Sequence, residues 1–268
     1  MSRGENTLNR MTVMIRPKAK VLLWDIETSP FKVWTFRLGS KVSLYHNQIV
    51  KGTATDIISI AYMWDYEDEA HVLDWGYEEQ DSSRMVEEFD KILQQSDIAI
   101  AQNGDRFDVK HINTQRMLHN LPPMPDWSKY TDDLLKQTRK HFALPSYKLD
   151  YLSELFGLGG KNDMELQDWI NIVEKNEGGK ESFERMLRYN KKDVEDLKTI
   201  WNRVKYHVAP KLNMSTLMGS HVCTNCGSER IKRNGTRVRG QTLYQSYYCN
   251  EHGGFAGELP MSKAERLK

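Results

Sequence analysis

Apolar residues change their spacing along the chain, and the change marks out the elements. Val21-Leu22-Leu23-Trp24 opens an apolar run that continues through Asp25-Ile26-Glu27-Thr28 and stops at Ser29-Pro30, the pattern of a buried strand ended by a breaker. Ile57–Trp64 and His71–Trp75 read as two more strands joined by an acidic turn, a hairpin that with the Val21 strand would form the antiparallel half of a sheet. Residues 83 to 95 follow as a helix, 97 to 102 as a fourth strand broken at Asn103-Gly104, and 106 to 120 as a helix with Phe107, Ile112 and Leu118 among its apolar positions. A short fifth strand is expected near Lys129 to Thr131. Helices fill most of 133 to 208, and in the last of them Phe183, Met186, Leu187, Val194, Leu197, Trp201, Val204 and Val208 recur at three- and four-residue steps. The pattern predicts an α/β fold with a mixed five-stranded sheet flanked by helices.

Chemistry-bearing residues fall at telling points of this pattern. On a strand, residues two apart share a face, so Asp25 and Glu27 point one way while Ile26 points into packing. Two carboxylates together on a buried strand repel and are costly to desolvate unless a cation lies between them, and a divalent metal resolves the conflict. Asp108 falls in the first turn of the helix that follows the fourth strand, where the helix N-terminus favours negative charge. Tyr189 and Asp193 are four apart on the late helix and share a face, which also carries Asp196. Taken singly, each of these acids is as well explained as a solvated surface group. Their joint order carries the argument.

That order, Asp25-Ile26-Glu27, then Asn103 to Phe107-Asp108, then Tyr189 to Asp193, resembles the tyrosine branch of the DEDD exonucleases in the ribonuclease H-like superfamily. The segment Leu144-Pro145-Ser146-Tyr147-Lys148-Leu149-Asp150-Tyr151-Leu152 is similar to an S-Y-K-L-D stretch of the proofreading domains of B-family DNA polymerases and of stand-alone phage and bacterial exonucleases built from that domain. The resemblance covers about residues 18 to 208. It implies a ribonuclease H-like fold and makes Asp25, Glu27, Asp108 and Asp193 the ligands of two Mg²⁺ or Mn²⁺ ions. Hard oxygen ligands suit these ions, and two metals about 3.5–4 Å apart can stabilise both the attacking and the leaving oxygen of a phosphodiester displacement. Tyr189 would orient the attacking water; its ordinary pKa of about 10 leaves activation of that water to the metal. Arg188 stands five residues before Asp193, where the histidine branch of the family has its histidine. Asp193 is chosen over Asp196 by the tyrosine four residues before it. Lys148 is expected at the scissile phosphate or a metal-bound water, Asn103 to position Asp108 or the terminal nucleotide, Thr28 to contact substrate, and Phe107 as a packing residue beside the site.

Composition adds a second module. The 268 residues suffice for one large core and a small appendage, and 38 basic against 37 acidic residues leave no global nucleic-acid signature, so any basic footprint is local. All three cysteines lie in the last 46 residues, as Cys223-Thr224-Asn225-Cys226 and, 22 residues on, Cys249-Asn250-Glu251-His252. Two short pairs at that separation supply Cys223, Cys226, Cys249 and His252 to one tetrahedral Zn²⁺ and resemble a zinc ribbon, with His221 as the alternative fourth ligand. The odd count and the lack of an apolar secretion signal argue against a disulfide framework. Arg230, Lys232, Arg233, Arg237 and Arg239 stand between the ligand pairs, opposed there only by Glu229, and suit a phosphate backbone. The expected division is a flexible polar tail over 1–19, the nuclease domain over 20–208, a linker over 209–220, the ribbon over 221–259 and a short tail over 260–268.

Three functions are compatible with these features. The first is a metal-dependent 3′→5′ exonuclease on single-stranded nucleic acid, DNA before RNA because of the polymerase resemblance. The second, a transposase or related strand-transfer enzyme, fits the ribbon but not the D-x-E opening. The third is a non-catalytic binding protein on a nuclease scaffold. Phe31 to Tyr45, with Trp34 and Phe36, would either stack on unpaired bases or cover the sheet edge. No apolar run is long enough to span a bilayer, and a monomer in the cytoplasm is the expected state.

Overall fold

The computed structural model describes residues 19–36, 39, 42–51, 56–123, 131–159, 164–208 and 211–265. The chain forms two compact units, one spanning Lys20–Lys211 and the other containing Leu212–Lys268. The expected N-terminal tail lies outside the described residues up to residue 18.

The larger unit is built on five strands: β1 (Val21–Thr28), β2 (Ile57–Trp64), β3 (His71–Asp74), β4 (Ile98–Ala101) and β5 (Thr131–Asp133). Their order in the sheet is β3-β2-β1-β4-β5. β1 pairs antiparallel with β2, and β2 with β3, whereas β1 with β4 and β4 with β5 run parallel. The antiparallel half is the hairpin expected from the acidic turn. The fifth strand starts at Thr131, and its expected earlier residues lie outside the described segment.

Between the strands come α1 (Ser83–Leu93), α2 (Asp108–Leu118), α3 (Leu134–His141), α4 (Leu149–Leu155), α5 (Leu166–Glu174) and the long α6 (Gly179–Val204). Alternation on β1 divides its side chains between the two helical layers. Trp24 is fully buried and lies 5.0 Å from the Phe89 ring of α1. Its neighbour Asp25 turns the other way, where Asn190 of α6 donates to its Oδ2 at 2.9 Å. α6 packs along β1, β2 and β3 through a buried stripe that includes Phe183, Met186, Val194, Leu197 and Ile200. It ends at Val204, four residues short of the apolar periodicity; Val208 is buried in the turn that follows.

Three local expectations are corrected. α2 begins at Asp108 rather than near residue 106, because residues 104–107 form a turn that closes on Asn103 O. Leu118 is exposed, and the buried positions of that helix are Asp108, Ile112, Gln115 and Arg116. Phe31, Trp34, Phe36 and Tyr45 are also exposed, so they do not cover a sheet edge. Their loop is closed by a bridge between Val33 and Ile49 and by Trp34 N–H donating to Gln48 O at 2.8 Å.

The smaller unit is a three-stranded antiparallel meander, β6 (Ile231–Arg239), β7 (Thr242–Cys249) and β8 (Gly254–Pro260). A short helix, α7 (Met214–Met218), stands where a linker was expected. Asn213 caps it by accepting from Thr216 N, and Met214 and Met218, four apart on one face, are buried. Met214 N–H also donates to Thr224 O at 3.0 Å, which ties this segment to the first cysteine pair.

The turn after β4 is tight. Asn103 takes a left-handed conformation with φ 64°, and a Cβ on Gly104 would stand 2.6 Å from Ala101 Cβ. Gly104→Ala is therefore expected to lower stability by about 1–3 kcal/mol in chemical denaturation. Adding Ala101→Gly should recover part of that loss; no recovery would mean the clash is not its cause.

Candidate metal centre and cleft

β1 outruns its parallel neighbour. Its pairing with β4 covers only Val21–Leu23, so further along the N–H of Ile26 has no strand partner on that side. The buried carboxylate of Asp108, at the start of α2, accepts that N–H at 3.2 Å. Asp108 is thus placed by completing the hydrogen bonding of β1 where β4 has ended.

Asp25 and Glu27 project from the face of β1 that α6 covers, the one opposite Trp24 and Ile26. One carboxylate oxygen from each of Asp25, Glu27 and Asp193 lies within 4.8 Å of the other two. Three of the four expected acids are therefore brought together. Asp108 is not in this group, although its charge is felt at Asp25. Asp196 is engaged elsewhere, paired with Lys192 one turn before it on α6. Tyr189 is half-buried one helical turn before Asp193.

Electrostatics show what the group lacks. Burial first, then the charges of Asp108, Glu27 and Asp193, hold the Asp25 carboxyl well above the usual carboxylate range, against the lowering hydrogen bond from Asn190. Burial likewise pushes Asp108 up to about 7, with the backbone donors only partly offsetting it. Such a set is electrostatically unsatisfied without a cation, and its all-oxygen donors suit Mg²⁺ or Mn²⁺.

Asn190 was not anticipated from the sequence. It is fully buried and accepts from Ser59 Oγ at 2.8 Å while donating to Asp25. Ser59 is the β2 partner of Glu27 in the sheet register. The relay fixes one oxygen of Asp25 and leaves the other for a ligand. Its only sequence signal is a polar residue in step with the apolar Phe183, Met186, Leu187, Val194 and Leu197 of the late helix.

A cleft of about 690 Å³ opens over the carboxylates Asp25, Glu27 and Asp193. Asn103 and Lys148 line it, as do Arg106 and Arg139, which were not anticipated. Its far wall is the segment 145–150, part of the S-Y-K-L-D stretch. Tyr147 is locked there: its hydroxyl donates to Phe142 O at 2.8 Å, and Gln102 Nε2 donates to its carbonyl at 2.6 Å. Phe107 is exposed, with its ring 4.5 Å from His111. Thr28 is half-buried at the end of β1, beside a register irregularity that follows Glu27.

The second cluster lies in the smaller unit. Ligand atoms of Cys223, Cys226, Cys249 and His252 all fall within 4.8 Å of one another. Cys226 and Cys249 sulfurs are 3.7 Å apart, and Cys223 Sγ is 3.2 Å from His252 Nε2. An edge of about 3.8 Å is what Zn–S bonds of about 2.3 Å require in a tetrahedron, so the cluster fits zinc. His221 is not part of it and packs edge-on against Tyr247. Burial pushes Cys226 up to about 12 and lowers His252, which keeps the imidazole in its neutral, ligating form. The basic residues between the pairs are not equivalent, and two have acidic partners beyond Glu229. Arg230 pairs with Glu251 at 3.0 Å and Arg239 with Glu258 at 2.7 Å, because the meander folds both acids back onto β6. Lys232 lies over the Tyr248 ring and Arg237 over Phe255, and Arg233 is exposed.

A mixed sheet with helices on both faces and an acid cluster on its central strand defines a ribonuclease H-like nuclease fold. The sequence profile of the RNase_H superfamily matches residues 48–205, more than half the chain, and the chain belongs to that superfamily. Nucleases of this kind generally work with divalent metal ions, and their substrate is nucleic acid. No curated protein matches the chain. Among solved structures, the family B DNA polymerase from the hyperthermophilic archaeon Pyrobaculum calidifontis is similar at 13% identity with a TM-score of 0.48, over 86% of this chain. The chain spans about a third of that polymerase, 32% of its length. Among the described residues no helix is long and apolar enough to cross a membrane.

The raised carboxyls make stability depend on pH. Below about pH 4 Asp108 is protonated whether folded or unfolded; between there and about 7 the folded state keeps a proton that the unfolded chain releases. Metal-free protein therefore loses stability as pH rises through this window. Asp108→Asn, which keeps an acceptor for Ile26 N–H, is expected to leave stability at pH 4 nearly unchanged and to raise it at pH 8 by at least about 1.4 kcal/mol, one pKa unit's worth. Equal melting temperatures for the two proteins at pH 8 without divalent metal would refute the assignment.

Proposed function

We propose that the protein is a metal-dependent 3′→5′ exonuclease that hydrolyses phosphodiester bonds at the 3′ end of single-stranded nucleic acid, with DNA as the favoured polymer. The observation that carries the reading is the convergence of Asp25, Glu27 and Asp193 on one point at the floor of an open cleft, with the charge of Asp108 beside them. Asp25, Glu27 and Asp193 hold one Mg²⁺ or Mn²⁺, and Asp25 with Asp108 offers the carboxylates for a second. Bound there, the ions supply Lewis acidity to the phosphodiester and lower the pKa of the attacking water.

The remaining roles fall to the chain's own residues. Asn190 keeps the Asp25 carboxylate turned toward the cleft. Tyr189 orients the attacking water by hydrogen bonding. Lys148, at the N-terminus of α4 on the cleft wall, meets the negative charge of the scissile phosphate. Asn103 and Thr28 contact the terminal nucleotide, and Phe107 offers an exposed ring beside the site. The exposed rings of Trp34, Phe36 and Tyr45 suit unpaired bases, which favours single strands over duplex. In the smaller unit one structural Zn²⁺ on Cys223, Cys226, Cys249 and His252 holds a ribbon whose Lys232, Arg233 and Arg237, with Arg230 and Arg239 at its ends, contact the nucleic-acid backbone.

The test is to incubate 5′-labelled single-stranded DNA and RNA with the protein and Mg²⁺ or Mn²⁺. A ladder that shortens from the 3′ end, faster on DNA, is expected, with a loss of at least about a thousandfold in Asp25→Ala and Asp193→Ala. No degradation of either polymer would remove the enzyme reading. For the ribbon, elemental analysis should give one zinc per chain and none in Cys226→Ser; unchanged zinc content in that variant would reject the assigned ligand set.

A further inference from the structure

The cleft carries more positive charge than metal chemistry requires. Three cations line it together with the carboxylates: Arg106 on the turn before α2, Arg139 near the end of α3, and Lys148 before α4. They come from three separate elements, and all three are exposed. Among the described residues none of them forms an ion pair, although acids are at hand; Lys136 of α3, by contrast, is bound to Asp105 at 2.6 Å. Arg139 is positioned by an aromatic face instead, its guanidinium carbon 5.8 Å from the centre of the Tyr147 ring. That ring is itself fixed at its hydroxyl and its carbonyl. A guanidinium resting on a locked ring keeps its N–H edge for a planar or tetrahedral oxyanion.

We propose that Arg106 and Arg139 form a phosphate clamp that grips the backbone of the strand on the wall of the cleft, holding the phosphodiesters next to the one being cut. The ligand class is a linear polyanion with at least two phosphates, so a nucleic-acid strand end fits and a mononucleotide does not. The proposal rests on the exonuclease reading for the direction of the strand, and it adds a division of labour. Carboxylates hold the cations that act on one phosphate, Lys148 faces that same phosphate, and the two arginines hold its neighbours. Removing the arginines should weaken capture of the strand and leave the chemical step nearly intact.

Binding of 5′-fluorescein oligo(dT) to the full-length chain carrying Asp25→Ala, with its zinc retained and no added Mg²⁺, reads the clamp without turnover. Arg106→Gln and Arg139→Gln are each expected to weaken binding about tenfold. Each should also flatten the slope of log affinity against log salt by about 0.7, the value for one single-strand phosphate contact, and the double variant by about 1.4. Arg139→Lys should keep the slope but lose part of the affinity, because an ammonium is a point charge without the planar fork. Lys91→Gln, on α1 and paired with Glu87, should change neither. With an intact active site, KM for oligo(dT) should rise about tenfold in each arginine variant while kcat stays within about twofold. Unchanged affinity and slope in the double variant, with a melting temperature like that of its parent, would overturn the clamp while leaving the exonuclease reading untouched. Loss of slope in a protein that degrades nothing would instead uphold the clamp and sink the exonuclease.

Discussion

The larger unit depends on a conflict built into β1. The strand is the centre of the sheet, with Leu22, Leu23 and Trp24 fully buried, yet it carries Asp25 and Glu27 on the face that α6 covers. Burial and mutual repulsion drive the Asp25 carboxyl far from its ordinary range. Such a cluster lowers the stability of the fold that contains it unless cations bind. Metal binding and stability would be coupled at this point, because divalent ions held by these carboxylates would also complete the electrostatics of the core.

Topology decides which acids share the burden. β1 continues beyond the end of β4, and Asp108 fills the gap by accepting the Ile26 N–H. The same shortfall opens the cleft, since ligand sites in such sheets form beyond the carboxyl ends of the parallel strands, where the connections diverge. Asp193 arrives from the other layer on α6, and Asn190 on that helix holds Asp25 in place. The site thus needs β1, the start of α2 and the middle of α6 to be in register, which explains its spread over so much of the chain.

Much of this was legible in the sequence because two periodicities are strong. The alternation in 21–28 and the three- and four-residue steps in 183–204 identify the central strand and the long helix, and they put Asp25, Glu27, Tyr189 and Asp193 on defined faces. The order of strands, with an antiparallel hairpin on one side and parallel partners on the other, follows from the short acidic turn and the longer helical crossovers. Contacts between segments remote in sequence were not legible. Ser59 to Asn190 to Asp25 is a through-space chain, and no local pattern announces it. Arg106 and Arg139 lie in segments remote from the acids, and only the fold places both on the lining of the same cleft. Nor does a local pattern announce that Asp108 accepts the Ile26 N–H or that Asp193 lies within ligand distance of Asp25 and Glu27. In the ribbon the charge count missed Glu251 and Glu258, which neutralise two of five cations only after the strands fold over one another.

These buried carboxyls are expected to hold protons that a metal must displace. Calorimetric titration of the zinc-loaded protein with Mn²⁺, run at one pH in buffers of different ionisation enthalpy, counts those protons directly. At pH 6, binding is predicted to release protons, and fewer at pH 8.5 than at pH 6 because Asp108 loses its proton beforehand. Binding without proton release at pH 6, or no binding of Mn²⁺ at either pH, would contradict this expectation.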